Sequence, residues 1–380
     1  MRIALFTDTF APQVNGVAQT LMRWAVHAAS RGDEVALIAP RLPGRPDHDV
    51  ALHIELPSFA VPFYPELRLA TPLDPWSSRR LRDFGPELVH VATEFTVGRS
   101  GLAFAASARL PLTTSFHTDF AAYLAGYGFG GFERGAWHWL RWFHERAEVT
   151  FCPSRATLEQ LRSQGFHDRL RIWSRGVDAT AFGPQRRCAV VREKLAPGAS
   201  RIVLYVGRLA PEKRLDVLLD AFALVRSRDP GAALVIVGDG PSAIDLRKRA
   251  GQRVFFTGFL SGQALAEAYA AGDVFLFPSD TETFGNVVLE AMASGLPVIA
   301  AARGGVMDSV QPGRNGLLAA AGDAGAFADA VERVLQADDF RASLASGARA
   351  WALRRSWNAV MNELFDTYDR TVTTHAARVA

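Results

Sequence analysis

Two stretches of this chain combine residue types that suit a diphosphate and a sugar. The first is Asp280-Thr-Glu-Thr-Phe-Gly-Asn-Val-Val-Leu-Glu290. Glu282 stands just before a run of good helix formers, Glu290 lies one turn inside it, and Gly285 and Asn286 open the turn. Backbone N–H groups and the helix dipole at such a start favour a phosphate. One carboxylate is then available for sugar hydroxyls and the other for ribose hydroxyls, with Phe284 and Val287 between them. The second stretch is Gly207-Arg208-Leu-Ala-Pro-Glu-Lys213. Arg208 offers a bidentate fork and Lys213 a point charge, together matching a diphosphate of about −2.

The elements that must hold these residues are legible as apolar runs. Residues 273–278 and 297–301 read as buried strands on either side of the 282–290 segment, whose helix is stopped by Gly295 and Pro297. Residues 202–206 form the strand before Arg208, and 234–237, 254–257 and 274–277 continue the series, with helices over 215–228 and 265–271. The first half opens with a strand over 2–7, a loop ending at Gly16, a helix over 17–30 and a strand over 34–39. That order is a Rossmann opening. Strands over 51–56, 88–92, 112–116 and 149–152 follow, with a helix over 137–148. Ser115-Phe-His117-Thr-Asp119 then falls at the carboxyl end of a strand, where ligands bind in open α/β sheets. Alternation of β and α in both halves predicts an α/β protein of two Rossmann-like domains facing across a cleft. Residues 1–178 form the first and 179–355 the second, with a Pro-, Arg- and Ala-rich connector over 179–200, a last helical stretch over 351–371 and a C-terminal helix from about 356 to 380.

The word Glu282-Thr-Phe-Gly-Asn286 with both glutamates, set between two buried strands, resembles the donor-sugar motif of the retaining glycosyltransferases of GT-B architecture, the group 1 glycosyl transferases of family 4. The resemblance extends over nearly the whole chain through Gly16, His117, Arg208, Lys213, Glu282, Phe284, Gly285 and Glu290. It implies that Gly16 lies beneath the donor phosphates and His117 beside the donor sugar. Arg208 and Lys213 would hold the diphosphate and stabilise the leaving group, and Glu282 would hold sugar hydroxyls. Gly238, in Val237-Gly-Asp-Gly-Pro241, would lie near the donor, and Gly258, in Phe256-Thr-Gly-Phe259, in the segment whose backbone reads the base. The last helix would cross back to pack on the first domain, which takes the acceptor. Phe10-Ala-Pro-Gln-Val-Asn-Gly16-Val and Ser115-Phe-His-Thr-Asp-Phe120 look like the branch that uses GDP-mannose and lipid-linked or glycan acceptors. A UDP-hexose donor is the alternative within the family. Transfer would proceed by front-face displacement, with the departing phosphate taking the acceptor's proton.

Composition bounds these expectations. With 380 residues the chain is long enough for two cores, and Lys+Arg 42 against Asp+Glu 39 excludes a global nucleic-acid signature. Two cysteines, Cys152 and Cys188, have no metal spacing, and the start Met-Arg-Ile-Ala-Leu-Phe-Thr lacks a signal-peptide pattern. No run reaches 18 apolar residues. The expectation is a cytoplasmic enzyme without metal or cofactor. Asp47-His-Asp49 has the D-x-D form of the other glycosyltransferase architecture but sits off any strand end, and Gly126-Tyr-Gly-Phe-Gly-Gly131 has no preceding strand. Trp76-Ser-Ser-Arg79-Arg80-Leu-Arg82 joins an aromatic to three cations, the composition of a helix lying on an anionic membrane surface. Competing classes are a nucleotide-sugar epimerase, which needs acid and base groups opposed at the sugar, and a non-catalytic carbohydrate-binding protein.

Overall fold

The structure is a computed structural model and describes residues 1–13, 15–42, 50–61, 64–120 and 130–379. Asp47, Asp49 and most of the 126–131 glycine-rich stretch lie outside the described residues. Two compact units are formed, the first from 1–120, 132–174 and 358–379, the second from Arg175–Trp357.

In the first unit the strands β1 (Arg2–Phe6), β2 (Glu34–Pro40) and β3 (Leu52–Leu56) are followed by an antiparallel ribbon of β4 (Ser58–Val61) and β5 (Tyr64–Ala70). Then come β6 (Leu88–Val91), β7 (Leu112–Ser115), β8 (Val149–Cys152) and β9 (Leu170–Ile172). The sheet runs β3-β2-β1-β6-β7-β8-β9 with every pair parallel. Ile3, Ala4, Leu5 and Phe6 are wholly buried, as expected of a parallel strand covered on both faces. The helices are α1 (Gly16–Ser30), α2 (Pro75–Phe84), α3 (Thr96–Ala108), α4 (Glu133–His144) and α5 (Arg155–Ser163). Helix α4 begins and ends four residues earlier than the helix expected over 137–148.

The second unit contains β10 (Arg201–Val206), β11 (Ala232–Val237), β12 (Val254–Gly258), β13 (Val274–Phe277), β14 (Val298–Ala301) and β15 (Gly316–Ala319). Their order is β12-β11-β10-β13-β14-β15, again wholly parallel. The helices are α6 (Ala189–Leu195), α7 (Leu215–Arg228), α8 (Ala243–Arg249), α9 (Gly262–Ala271), α10 (Asn286–Ala293), α11 (Ala324–Gln336) and α12 (Asp338–Leu353). Arg349, on α12, ties the connector to the end of α10: it donates to the carbonyls of Phe182 at 2.8 Å and Ala179 at 3.0 Å, and also to that of Ala293.

The C-terminal helix expected from about 356 to 380 is present, but the helical stretch expected over 351–371 is broken before it. Helix α12 stops at Leu353 and α13 (Trp357–Val379) starts after three intervening residues. Between them the Arg355 carbonyl leaves the helical ladder to accept from Val177 N at 2.9 Å. A Cβ on Gly176 would lie 2.5 Å from Trp357 N, so only glycine lets the two segments pass this closely. Helix α13 buries Met361, Leu364, Phe365 and Tyr368, one helical stripe, within the first unit. There Trp24 Nε1 of α1 donates to Tyr368 Oη at 3.2 Å, and Arg31 pairs with Asp369 at 3.1 Å.

Candidate active site

In each sheet the first strand of the unit has later strands on both sides. Chain order reverses between β10 and β13, and ligands bind outside the carboxyl ends of strands at such a switch point. Both chemistry-bearing stretches of the second unit grow from that place. Residues 207–213 follow β10, and 278–285 follow β13 and lead into α10.

The two loops are stitched together by the side chains under consideration. Lys213 Nζ donates to Glu282 Oε1. Ser279 Oγ, wholly buried, reaches the same carboxylate oxygen at 3.0 Å and the Glu212 carbonyl at 3.4 Å. Thr281 Oγ1 donates to that carbonyl at 3.3 Å, and Arg214 pairs with Asp280 at 3.4 Å. Lys213 and Glu282 are thus held face to face, 15% and 14% exposed. Arg208 lies just past the end of β10, three residues after Tyr205, whose buried hydroxyl donates to the Arg208 carbonyl at 3.1 Å. Burial pushes the Tyr205 phenol well above its ordinary range, so it stays a donor.

Close backbone packing explains several glycines. At Gly238, φ is +135°, and a Cβ would stand 2.0 Å from the Gly207 carbonyl oxygen. Gly238 therefore lets the 207–213 loop lie against the end of β11, where Gly207 N donates to the Val237 carbonyl at 3.0 Å. Gly258 ends β12 with a left-handed φ and open space around it. Gly285, also left-handed at φ +87°, turns the chain into α10, which no side chain caps. Asn286 and Val287 are its first residues, half-buried, so this helix start has the backbone donors that a phosphate needs. Phe284 is 4% exposed and packs in the core, anchoring the loop by its side chain. Glu290 is held by Tyr269, whose hydroxyl donates to Oε2 at 2.8 Å.

Sequence reasoning passed over the groups that hold these. Tyr205, Ser279 and Tyr269 carry no local signature. Gly304 and Gly305 do: Gly305 N donates to the Glu282 carbonyl at 2.7 Å, and a Cβ on Gly305 would lie 2.0 Å from the Thr283 carbonyl oxygen. A glycine pair just beyond a buried strand was the available signal.

In the first unit, Asn15 caps α1 by accepting from Ala18 N at 2.8 Å, and Gly16 is the first helical residue. His117 follows β7 and is 6% exposed. Its Nε2 lies 3.0 Å from Ser115 Oγ, and its ring meets Trp173 edge-on at 5.2 Å. Nearby, His144 Nε2 lies 3.2 Å from Glu94 Oε1, a carboxylate that burial pushes above its usual range. In the 137–143 aromatic cluster, Trp137 and Phe143 are buried, and Trp139 donates to the Glu94 carbonyl at 3.1 Å while stacking on Trp142. In α2, Trp76 is 67% exposed with the Arg80 guanidinium over its ring at 4.7 Å, and Arg79 and Arg82 are exposed. Among the described residues no helix is long and apolar enough to cross a membrane, and no cluster of three metal-ligating side chains occurs.

Two doubly wound parallel sheets are the architecture shared with solved GT-B glycosyltransferases. The chain belongs to the group 1 glycosyl transferases. Residues 200–337 match the model described as "Glycosyl transferases group 1", and 14–181 match "Glycosyltransferase Family 4". It is 39% identical to a GDP-mannose-dependent alpha-mannosyltransferase of Mycolicibacterium smegmatis over 100% of both chains. A protein of the same description from Mycobacterium tuberculosis is 39% identical over 97% of this chain and 96% of its own. Among solved structures, Anabaena HepE in complex with UDP superposes with a TM-score of 0.77 at 20% identity, covering 97% of this chain and all of that one.

Proposed function

We propose that this chain transfers a mannosyl residue from GDP-mannose to a lipid-linked or glycan hydroxyl, with retention of anomeric configuration and without a metal or cofactor. The full-length 39% identity to GDP-mannose-dependent alpha-mannosyltransferases carries this reading. The second unit would bind the donor: Arg208, Lys213 and the start of α10 at Gly285, Asn286 and Val287 take the diphosphate. Glu282 takes sugar hydroxyls and Glu290 the ribose. Gly238 and Gly258 shape the adjoining backbone. His117 and Gly16 contribute from the first unit, which we assign to the acceptor.

The acceptor oxygen forms its bond to the anomeric carbon as the carbon–phosphate oxygen bond breaks, and the departing phosphate takes the acceptor's proton. Negative charge grows on the diphosphate, and cations and helix donors aimed at it favour the transition state over the ground state. A lipid-linked acceptor would be met on the cytoplasmic membrane face through Trp76, Arg79, Arg80 and Arg82.

The test is a thermal-shift and turnover screen of GDP-mannose against UDP-glucose, UDP-GlcNAc and UDP-glucuronate. The true donor at 100 times its Kd should stabilise the protein by about 2.7 kcal/mol. NMR of the product reports the anomeric configuration. Preference for a UDP-hexose, or inversion, overturns the donor or the stereochemistry respectively, and loss of turnover in EDTA overturns metal independence. A new free nucleotide-sugar epimer without acceptor would indicate the epimerase.

A further inference from the structure

Two contacts tie the connector to α10, the helix that carries Glu290. The first runs through aromatic rings. Phe182, half-buried against the core of the second unit, meets Tyr269 of α9 edge to face, with ring centroids 5.5 Å apart and an interplanar angle of 88°. Tyr269 is wholly buried, and its hydroxyl donates to Glu290 Oε2 at 2.8 Å. Burial, with the carboxylate beside it, pushes that phenol well above its ordinary range, so it stays a donor. The second contact is the Arg349 guanidinium. It donates to the connector carbonyls of Ala179 and Phe182 and to that of Ala293, the last residue of α10. A cation at that end complements the helix dipole.

Phe182 is itself fixed by its own segment. Asp178 Oδ1 accepts from Thr180 N and Ala181 N, each at 3.0 Å, and from Thr180 Oγ1 at 2.6 Å. Phe182 N then closes the turn on the Asp178 carbonyl at 3.0 Å. Aspartate turns of this kind hold a loop in one conformation without help from a strand or helix.

We propose that Phe182 is a positioning residue for the nucleotide, acting through Tyr269 on Glu290, so that the conformation of the connector sets the strength of the ribose contact. The inference rests on the reading of Glu290 as the group that takes the ribose. Without the Phe182 edge against it, the Tyr269 ring gains room to tilt, and a tilt swings the hydroxyl at its far end out of line with the carboxylate. A hydrogen bond weakens steeply as it bends. Arg349 supports the same arrangement by keeping the Phe182 backbone and the end of α10 in one frame.

The test is calorimetry of the full chain with GDP and with UDP, which share the ribose, alongside steady-state kinetics. Phe182→Ala should raise the Kd of whichever nucleotide binds by about fivefold, the size of an aromatic pair contact. The KM for the matching sugar donor should rise in step, with kcat at saturating donor within about twofold of wild type. Phe182→Tyr, which keeps the ring, should restore the Kd. In a Tyr269→Phe background, Phe182→Ala should change the Kd by less than about twofold, because the bond it protects is already gone. A lowered Tm with wild-type Kd in Phe182→Ala would reveal a purely structural role and overturn the proposal. Equal effects of Phe182→Ala with and without the Tyr269 hydroxyl would overturn it too. Where alanine unfolds the connector, Phe182→Leu supports the same comparison with an apolar side chain kept in place. Failure of the ribose reading is seen separately, as an unchanged Kd in Glu290→Gln.

Discussion

Lys213 and Glu282 form an ion pair although they stand 69 positions apart in the sequence. The pairing puts the cation proposed for the diphosphate against the carboxylate proposed for the sugar, and Ser279 shares the load at 3.0 Å. A charge this enclosed is costly to leave without its partner, so the two residues act as a unit. Lys213→Ala and Glu282→Gln should each reduce kcat by about 10²-fold or more. Their combination should cost less than the product of the two, with a coupling of about 1–3 kcal/mol in kcat/KM. Independent effects in a four-protein cycle would show that the pair is not a functional unit.

Tyr269 and Glu290 offer a test of the ribose contact. Tyr269→Phe keeps the ring against Phe182 and Phe275 but removes the 2.8 Å bond to the carboxylate. A hydrogen bond to a charged group contributes about 1.5–3 kcal/mol. The Kd for GDP should therefore rise about tenfold or more, as read by calorimetry, with kcat at saturating donor nearly unchanged. A selective loss of kcat would move Glu290 from binding to chemistry.

Gly305→Ala should impair activity although its side chain would touch no substrate. The added Cβ would meet the Thr283 carbonyl oxygen at 2.0 Å and must push the Glu282 loop aside. We expect at least a tenfold fall in kcat with a lowered Tm. Gly251→Ala, with nothing within 4 Å of its Cβ, is the matched control and should stay within about 0.5 kcal/mol of wild type.

Acid stability should depend on His90. Its pKa falls from an ordinary 6.5 to about 3 through burial, so between these values the unfolded chain binds more protons than the folded one. Stability from this group is therefore complete above pH 6.5 and is lost as pH falls toward 3, by up to about 5 kcal/mol. Asp8 and Glu94, raised by burial, act oppositely, favouring the folded state when protonated. Subtracting the stability–pH curve of His90→Gln from that of wild type isolates the histidine. A flat difference below pH 6.5 would refute the assignment.

Membrane attachment through α2 is open to liposome co-sedimentation. Three arginines near an anionic leaflet contribute about 1 kcal/mol each, which predicts reversible, salt-sensitive binding. An Arg79/Arg80/Arg82→Ser variant should lose it. Equal sedimentation of both proteins, or of neither, at low salt would point to a soluble acceptor.

The fold was legible in the sequence because parallel strands buried on both faces appear as unbroken apolar runs. Residues 149–152 and 274–277 are strands to the residue, and 215–228 is the helix its pattern indicates. The residues proposed for chemistry were legible as well, since glycine, arginine and glutamate at strand ends follow from local loop geometry. What joins them was not. Lys213 meets Glu282 because β10 lies beside β13, and His90 meets Ser115 because β6 lies beside β7. Strand order is a non-local choice that no periodicity records. The break at 354–356 likewise came from outside the helix, where Val177 takes the Arg355 carbonyl and Gly176 makes room. Local residue types determined which elements form and which side chains stand at their ends. Only the packing of sheet neighbours decided which of those side chains would share a proton or a charge, because that depends on distances set by partners far along the chain.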